Sequence, residues 1–376
     1  MAAVVAWVAF AVLAYTYVGY PILVALLARL FPLRTKSDDA WTPHVTACIP
    51  VFNAAKYLPA KLDSLIALDW PRDKLEILVY SDGATDGTDA IAQDYERRFP
   101  GVVRFLRAEK RAGKPTAVNL MRREARGEVL LMTDVRQPLV PAALRAMTAL
   151  LADERVACVS GNLTLPSTAG AGVYWKYENW IRRSEARFRS MLGVTGPIYV
   201  IRKSDLAELP LDVILDDMWI PMRLRLSRRF LLWSEEAVAW DEAFDDEREF
   251  GRKVRTLAGN YQLYARMPLL LVPIVNPSWL EVMSHKVLRL VGPWALAACL
   301  VASAVAAEPM RAVAYEPSVV WLMRALAIGQ LLVYALAALG GRAGRQGTVY
   351  RTFVVLNAAA VVGLWRWARG KQKVTW

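Results

Sequence analysis

Apolar residues gather at the two ends of the chain, while its middle alternates short apolar runs with amphipathic stretches. Ala2 to Phe31 carries no charge before Arg29, longer than a bilayer requires, and predicts a transmembrane helix. A cleaved secretory signal is disfavoured, because no basic stretch precedes the run and no clear small-x-small site follows it. Leu288–Ala307 and Val319–Leu339 predict two further spans. Phe353–Trp367 is short for a span, and Arg366, Arg369, Lys371 and Lys373 beyond it leave its topology open. Leu269–Leu280, flanked and interrupted by Pro268, Pro273 and Pro277, reads as an interfacial segment. The expected division is an anchor over 1–36, a cytoplasmic domain over 37–266, and an interfacial and membrane region over 267–376, with Arg29, Arg34 and Lys36 keeping the middle on the cytoplasmic side.

Between the apolar ends, strands alternate with helices. His44–Asn53 predicts a strand ending in a Pro- and Asn-punctuated loop, Lys56–Ala67 a helix with Leu58, Leu62, Leu65 and Ile66 on one face, and Leu75 to Asp82 a buried strand. A helix is expected over Ala90–Arg98, a strand over Val102–Leu106, a helix opening from the Arg111–Asn119 loop and running to about Arg126, and a strand over Glu128–Thr133. Further strands are expected at Val156–Ser160 and Ile198–Arg202, with helices over Tyr174–Met191, Trp219–Leu226 and Asp241–Ala265. This alternation predicts an α/β fold with a parallel sheet covered by helices on both faces.

Composition narrows the function. Cys48, Cys158 and Cys299 form neither a disulfide framework nor a metal knuckle, and with only His44 and His285 available, zinc sites and Ser-His-Asp machinery are poorly supported. A net charge of +12 and a pI near 9.7 fit a surface drawn to anionic lipid better than one built for nucleic acid.

Candidate chemistry sits at predicted strand ends. Ser81-Asp82-Gly83 closes one strand and Thr133-Asp134 another, so two carboxylates are expected at one sheet edge, where they would grip a divalent cation bridged to phosphates. Gly83 and Gly87 allow close backbone approach, with Thr88-Asp89 capping the following helix. Arg111-Ala112-Gly113-Lys114 opens a helix with a lysine beside its N-terminus, which suits an anion. Asp216-Asp217 precedes a helix, where Asp216 is either a site residue or the N-cap. The last helix carries Arg248, Arg252, Arg255, Gly259 and Gln262 on one line, expected to pack against something polar.

Together these motifs resemble the membrane-bound family 2 glycosyltransferases, inverting enzymes with a GT-A-type mixed, mostly parallel sheet. The resemblance covers about Val45 to Gln262. It implies that Pro50 and Asn53 open the nucleotide site, that Asp82 and Gly83 contact the nucleoside, and that Lys114 and Asn119 lie near the diphosphate. It further implies that Asp134 binds Mg2+ or Mn2+. The family's second metal-binding acid is here Arg136, whose guanidinium is suited to neutralise diphosphate charge bidentately. Asp217 falls at the catalytic base, with Gly196, Asp216 and Arg252 on the acceptor side, and Arg255 at the arginine of the family's lid motif, whose Gln and Trp are absent here. The implied activity moves sugar from a nucleotide sugar, such as a UDP-sugar, to a saccharide or lipid-linked acceptor in cell-envelope or extracellular polysaccharide synthesis. The lipid bilayer and other envelope-synthesis proteins are the implied partners. A catalytically weak scaffold and a nucleotidyltransferase are the rival readings.

Overall fold

A computed structural model describes residues 1–164, 171–241, 246–309, 313 and 315–372. Seven strands form one sheet: β1 (Val45–Val51), β2 (Leu75–Ser81), β3 (Val103–Arg107), β4 (Val129–Thr133), β5 (Val156–Thr164), β6 (Ile198–Arg202) and β7 (Phe230–Trp240). Their order is β3-β2-β1-β4-β6-β5-β7. β1 pairs in parallel with β2 and β4, β2 with β3, and β5 with β7. Only β6 runs against its neighbours β4 and β5. β1, β2 and β4 are buried along their whole length, which is why they read as continuous apolar runs.

The helices, in chain order, are α1 (Ala2–Leu30), α2 (Leu58–Ile66), α3 (Thr88–Arg98), α4 (Lys114–Glu124), α5 (Ala143–Leu151), α6 (Ala171–Phe188), α7 (Asp216–Leu226), α8 (Asp246–Arg266), α9 (Trp279–Ala307), α10 (Pro317–Leu339) and α11 (Gly344–Ala368). The sheet is therefore mixed, mostly parallel and covered by helices, in agreement with the expected α/β class. Two apolar cores lie on its opposite faces, one containing Leu58, Leu62 and Leu65 of α2, the other Val118 and Met121 of α4.

Among the described residues, three stretches are long and apolar enough to cross a membrane: Ala2–Leu30, Trp279–Ala307 and Pro317–Ala368. The last is broken at Gly340–Ala343, where Gly340 and Gly344 have φ of 55° and 68°, so α10 turns back into α11. The apolar stretch expected over Phe353–Trp367 is thus the second half of a longer helix that begins at Gly344. α1 meets α9 through small residues, Ala3 and Ala6 against Ala302 and Ala306.

Three local expectations are corrected. The strand β7 was not foreseen, because its apolar run is interrupted by Glu235 and Glu236, which bulge out as exposed residues where the pairing with β5 shifts register. The helix expected over Asp241–Ala265 is described from Asp246 to Arg266, and Asp241 lies outside it, directly after β7; the side chain of Arg248 lies outside the description. Asp216 is not an N-cap: Leu215 occupies that position, and Asp216 and Asp217 form the first turn of α7.

Candidate active site

Pairing geometry brings the key residues to one edge. Val51 faces Ser81, so the turns after β1 and β2 lie side by side. Because β6 is antiparallel to β4, Thr133 at the end of β4 faces Ile198 at the start of β6. The Gly193–Pro197 loop therefore sits next to Asp134. Val194 N–H donates to the Asp217 carbonyl at 3.0 Å, which fixes α7 onto that loop.

The first wall is the expected nucleotide side. Pro50 is buried in β1, and Asn53 stands exposed with φ of 49°, its side chain exchanging hydrogen bonds with Thr85. Asp82 is fully buried; its carboxylate accepts from the N–H groups of Ala112 and Gly113 at 2.7 and 2.9 Å. Gly83 has φ of 72°, and a Cβ there would lie 2.9 Å from Arg111 N. Arg111 stacks over the Phe52 ring, 3.8 Å from its centroid. Asp82 thus ties the strand-end turn to the loop that presents Lys114.

Lys114 is the centre of charge. Its ammonium lies 3.2 Å from Asp134 Oδ1 and 3.2 Å from Asp216 Oδ2. Burial works against this cation, but Asp134, Asp216 and Asp217 outweigh it and hold its pKa above the ordinary lysine value. Asp217 lies beside Gly196, where a Cβ would come 3.6 Å from Asp217 Oδ2. Its Oδ1 is buried and accepts no hydrogen bond from the described residues. Burial, and next the Asp216 carboxylate, push its pKa up to about 6, against the pull of Lys114.

α8 closes the other side. Arg255 donates to Ile214 O at 3.3 Å, and Gln262 bonds the backbone of Ile214 and Asp212. Gly259 lets α8 approach: a Cβ there would lie 2.4 Å from Leu215 Cγ. The polar partner expected of this helix line is therefore the backbone leading into Asp216. Arg252 sits among charges; burial and then Arg136 lower its guanidinium pKa, with Asp241 and Asp134 opposing.

Two expected site residues are used otherwise. Asn119 is buried and exchanges two 2.8 Å hydrogen bonds with the backbone of Leu209, so it braces α4 rather than lining the crevice. Arg136 is gripped by Asp241, whose two carboxylate oxygens lie 2.6 and 2.7 Å from its Nη2. Sequence reasoning passed over Asp241 and Lys61. Lys61 is fully buried, donating at 2.6 Å to both Thr133 Oγ1 and Gln137 O, while the Thr133 hydroxyl donates to Pro197 O at 2.7 Å. Its signal was a lysine inside the apolar stripe Leu58, Leu62, Leu65.

Among the described residues, no group of three or more His, Cys, Asp or Glu side chains is placed to hold a metal ion. Asp134 is already neutralised by Lys114, and Asp241 engages Arg136 at the third motif position.

The family model for Glycosyl transferase family 2 matches residues 46–209. An N-acetylglucosaminyltransferase of Rhizobium sp. (strain N33) is 26% identical over 217 residues, 54% of this chain and 47% of that protein. The probable glycosyltransferase YdaM of Bacillus subtilis (strain 168) is 26% identical over 130 residues, 34% of this chain and 31% of its own length. The chain thus spans about a third to a half of the length of these relatives. Among solved structures, the mannosyltransferase PcManGT from Pyrobaculum calidifontis, in complex with GDP-Man and Mn2+, superposes with a TM-score of 0.75 at 23% identity, covering 98% of this chain and 99% of that one. Matched motifs, mixed sheet and strand-edge acids agree, and residues 46–209 are a family 2 glycosyltransferase domain on a GT-A-type fold.

Proposed function

We propose that this protein is a membrane-anchored, inverting glycosyltransferase that moves a sugar from a nucleoside diphosphate sugar to a saccharide or lipid-linked hydroxyl, in extracellular polysaccharide or glycolipid synthesis. The catalytic domain works on the cytoplasmic side, and a UDP-sugar is the first donor to test. Asp217 is the general base. It takes the acceptor proton as the acceptor oxygen bonds to the anomeric carbon, and the bond from that carbon to the phosphate oxygen breaks with its electron pair leaving on the diphosphate. Lys114 offers the cation for that departing charge, assisted by Arg255 and Arg252 on α8. Asp134 and Asp216 hold the Lys114 ammonium in place, and Pro50, Asn53, Asp82 and Gly83 shape the nucleoside side.

The observation that carries this reading is Asp217 itself: a carboxyl with a buried, unpartnered oxygen and a pKa near 6, close to the Lys114 ammonium. A base poised near operating pH transfers protons efficiently. The test is Asp217→Asn in purified full-length protein, scored by nucleoside diphosphate release and by donor-induced thermal stabilisation. Loss of turnover by about 10²- to 10⁴-fold with donor binding retained is expected. Undiminished transfer removes the assignment, and nucleotide-dependent stabilisation of wild type without any turnover favours the scaffold reading instead.

A further inference from the structure

A cavity also lies away from the catalytic crevice. It is an open groove of about 650 Å³ where the chain leaves α1, lined by Leu27, Phe31, Arg34, Arg155, Phe188 and Arg189 among others. Its place in the fold is distinct from the crevice. β4 and β5 both run against β6, with Leu130 and Cys158 both opposite Ile201. Their starts therefore share one sheet edge, and Arg155, just before β5, lies at the edge opposite Asp134.

The lining combines two chemistries. Leu27 lies in the last turn of a stretch apolar enough to cross a bilayer, Phe31 follows its end, and Leu26, Leu30 and Phe31 are exposed there. Against them stand three guanidinium groups. Arg34 is exposed and its side chain makes no hydrogen bond or ion pair with the described residues. Arg155 meets Asp153 at 2.6 Å and donates to Arg34 O, and Arg189 donates to Pro277 O at 3.0 Å. A guanidinium has five N–H donors, so these bonds leave donors over in each. Among the described residues, Asp153 is the one acid ion-paired with these three arginines, which leaves a cationic surplus beside an apolar wall.

We propose that this groove binds an anionic phospholipid, its phosphate held by Arg34, Arg155 and Arg189 and its acyl chains following Leu27 and Phe31. The apolar wall argues for lipid over free phosphate, because a soluble anion gains nothing from it. Arginine suits the planar, bidentate recognition of phosphate. The +12 net charge supports the same partner at longer range.

The experiment is native mass spectrometry of the detergent-solubilised full chain titrated with phosphatidylglycerol or phosphatidylcholine, each with and without millimolar inorganic phosphate. Each basic residue near an anionic lipid is worth about fivefold in affinity. Wild type is expected to retain phosphatidylglycerol in preference to phosphatidylcholine, inorganic phosphate leaving that preference intact. Arg34→Gln, whose side chain supports no described bond, is expected to weaken phosphatidylglycerol about fivefold, and Arg34→Gln with Arg189→Gln further still. Arg97→Gln, a charge-matched change on α3, is expected to leave it unchanged. Equal retention of the two lipids, displacement by inorganic phosphate, or unaltered binding in both groove variants overturns the proposal.

Discussion

At the scale of single residues, two buried titratable groups both favour higher pH, one for turnover and one for stability. As the proposed base, Asp217 must be ionised to accept a proton, so turnover is expected to rise with pH through an apparent pKa of about 6, read from the pH profile of kcat/KM. A flat profile between pH 5 and 7 would detach Asp217 from the rate. Lys61 acts on stability instead. Burial lowers its pKa to about 7, with Asp134 pulling it back up. The unfolded chain, with an ordinary lysine, binds more protons than the folded one between about pH 7 and 10, so stability rises with pH across that window. The charged form costs on the order of 4 kcal/mol. Lys61→Met is expected to flatten the climb of the melting temperature between pH 7 and 9.5 relative to wild type, and identical slopes would show that Lys61 keeps its ordinary affinity for protons. The carboxylates make a third demand. Asp134 is spoken for by Lys114, so titration calorimetry of the donor-free protein with Mn2+ is expected to show no tight binding.

At the scale of elements, the crevice depends on how closely α8 approaches the loop before α7. Gly259 faces Leu215, and any side chain there must push the two apart by clashing with an aliphatic branch, not a flexible tip. Gly259→Val is expected to cost about 1–3 kcal/mol of stability and to lower turnover beyond what the lost stability explains, since Asp216 and Asp217 follow Leu215 directly. A variant that melts like wild type with full turnover would show that this approach is not needed. The far side of α8 rests on α11, where a Cβ on Gly363 would lie 2.9 Å from Ala258 N and Tyr261 stacks on Trp367 at 6.1 Å between ring centroids. The helix that closes the site is thus packed against the chain's last apolar helix.

At the scale of the whole molecule, a buried polar cluster joins the catalytic domain to two apolar helices. His285 of α9 lies between Glu185 and Glu178 of α6, at 2.7 and 3.0 Å, while the Tyr20 hydroxyl of α1 donates to Glu185 at 2.6 Å and Arg289 donates to Glu178 at 2.7 Å. Burial would raise the Glu178 carboxyl, but His285, Arg289 and Lys286 hold it well below the usual range. Removing one partner from such a cluster strands the others, at about 3–5 kcal/mol. His285→Leu is expected to lower the melting temperature in detergent by several degrees, and adding Glu185→Leu to cost much less than its separate effect. Strict additivity would mean that the cluster does not couple the elements. On α6 the same helix face reaches the Gly193–Pro197 loop, since Arg182 donates to Thr195 Oγ1 at 3.1 Å, one residue before Gly196.

The sequence by itself determined the alternation of strands and helices, the strand-end acids Asp82 and Asp134, and the apolar ends of the chain, because period, turn chemistry and hydropathy are local properties that survive without knowledge of the partner. Tertiary structure alone decided which charges meet. Lys114 between Asp134 and Asp216, Asp241 on Arg136 and Lys61 under Thr133 are pairs separated by 20 to 105 positions, and no local pattern ranks one acid above another as the partner of a given base. Asn119 looked like a ligand and became a brace for the same reason. β7 went unseen because its two acids break the alternation, and only pairing with β5 lets that break become a bulge rather than an end.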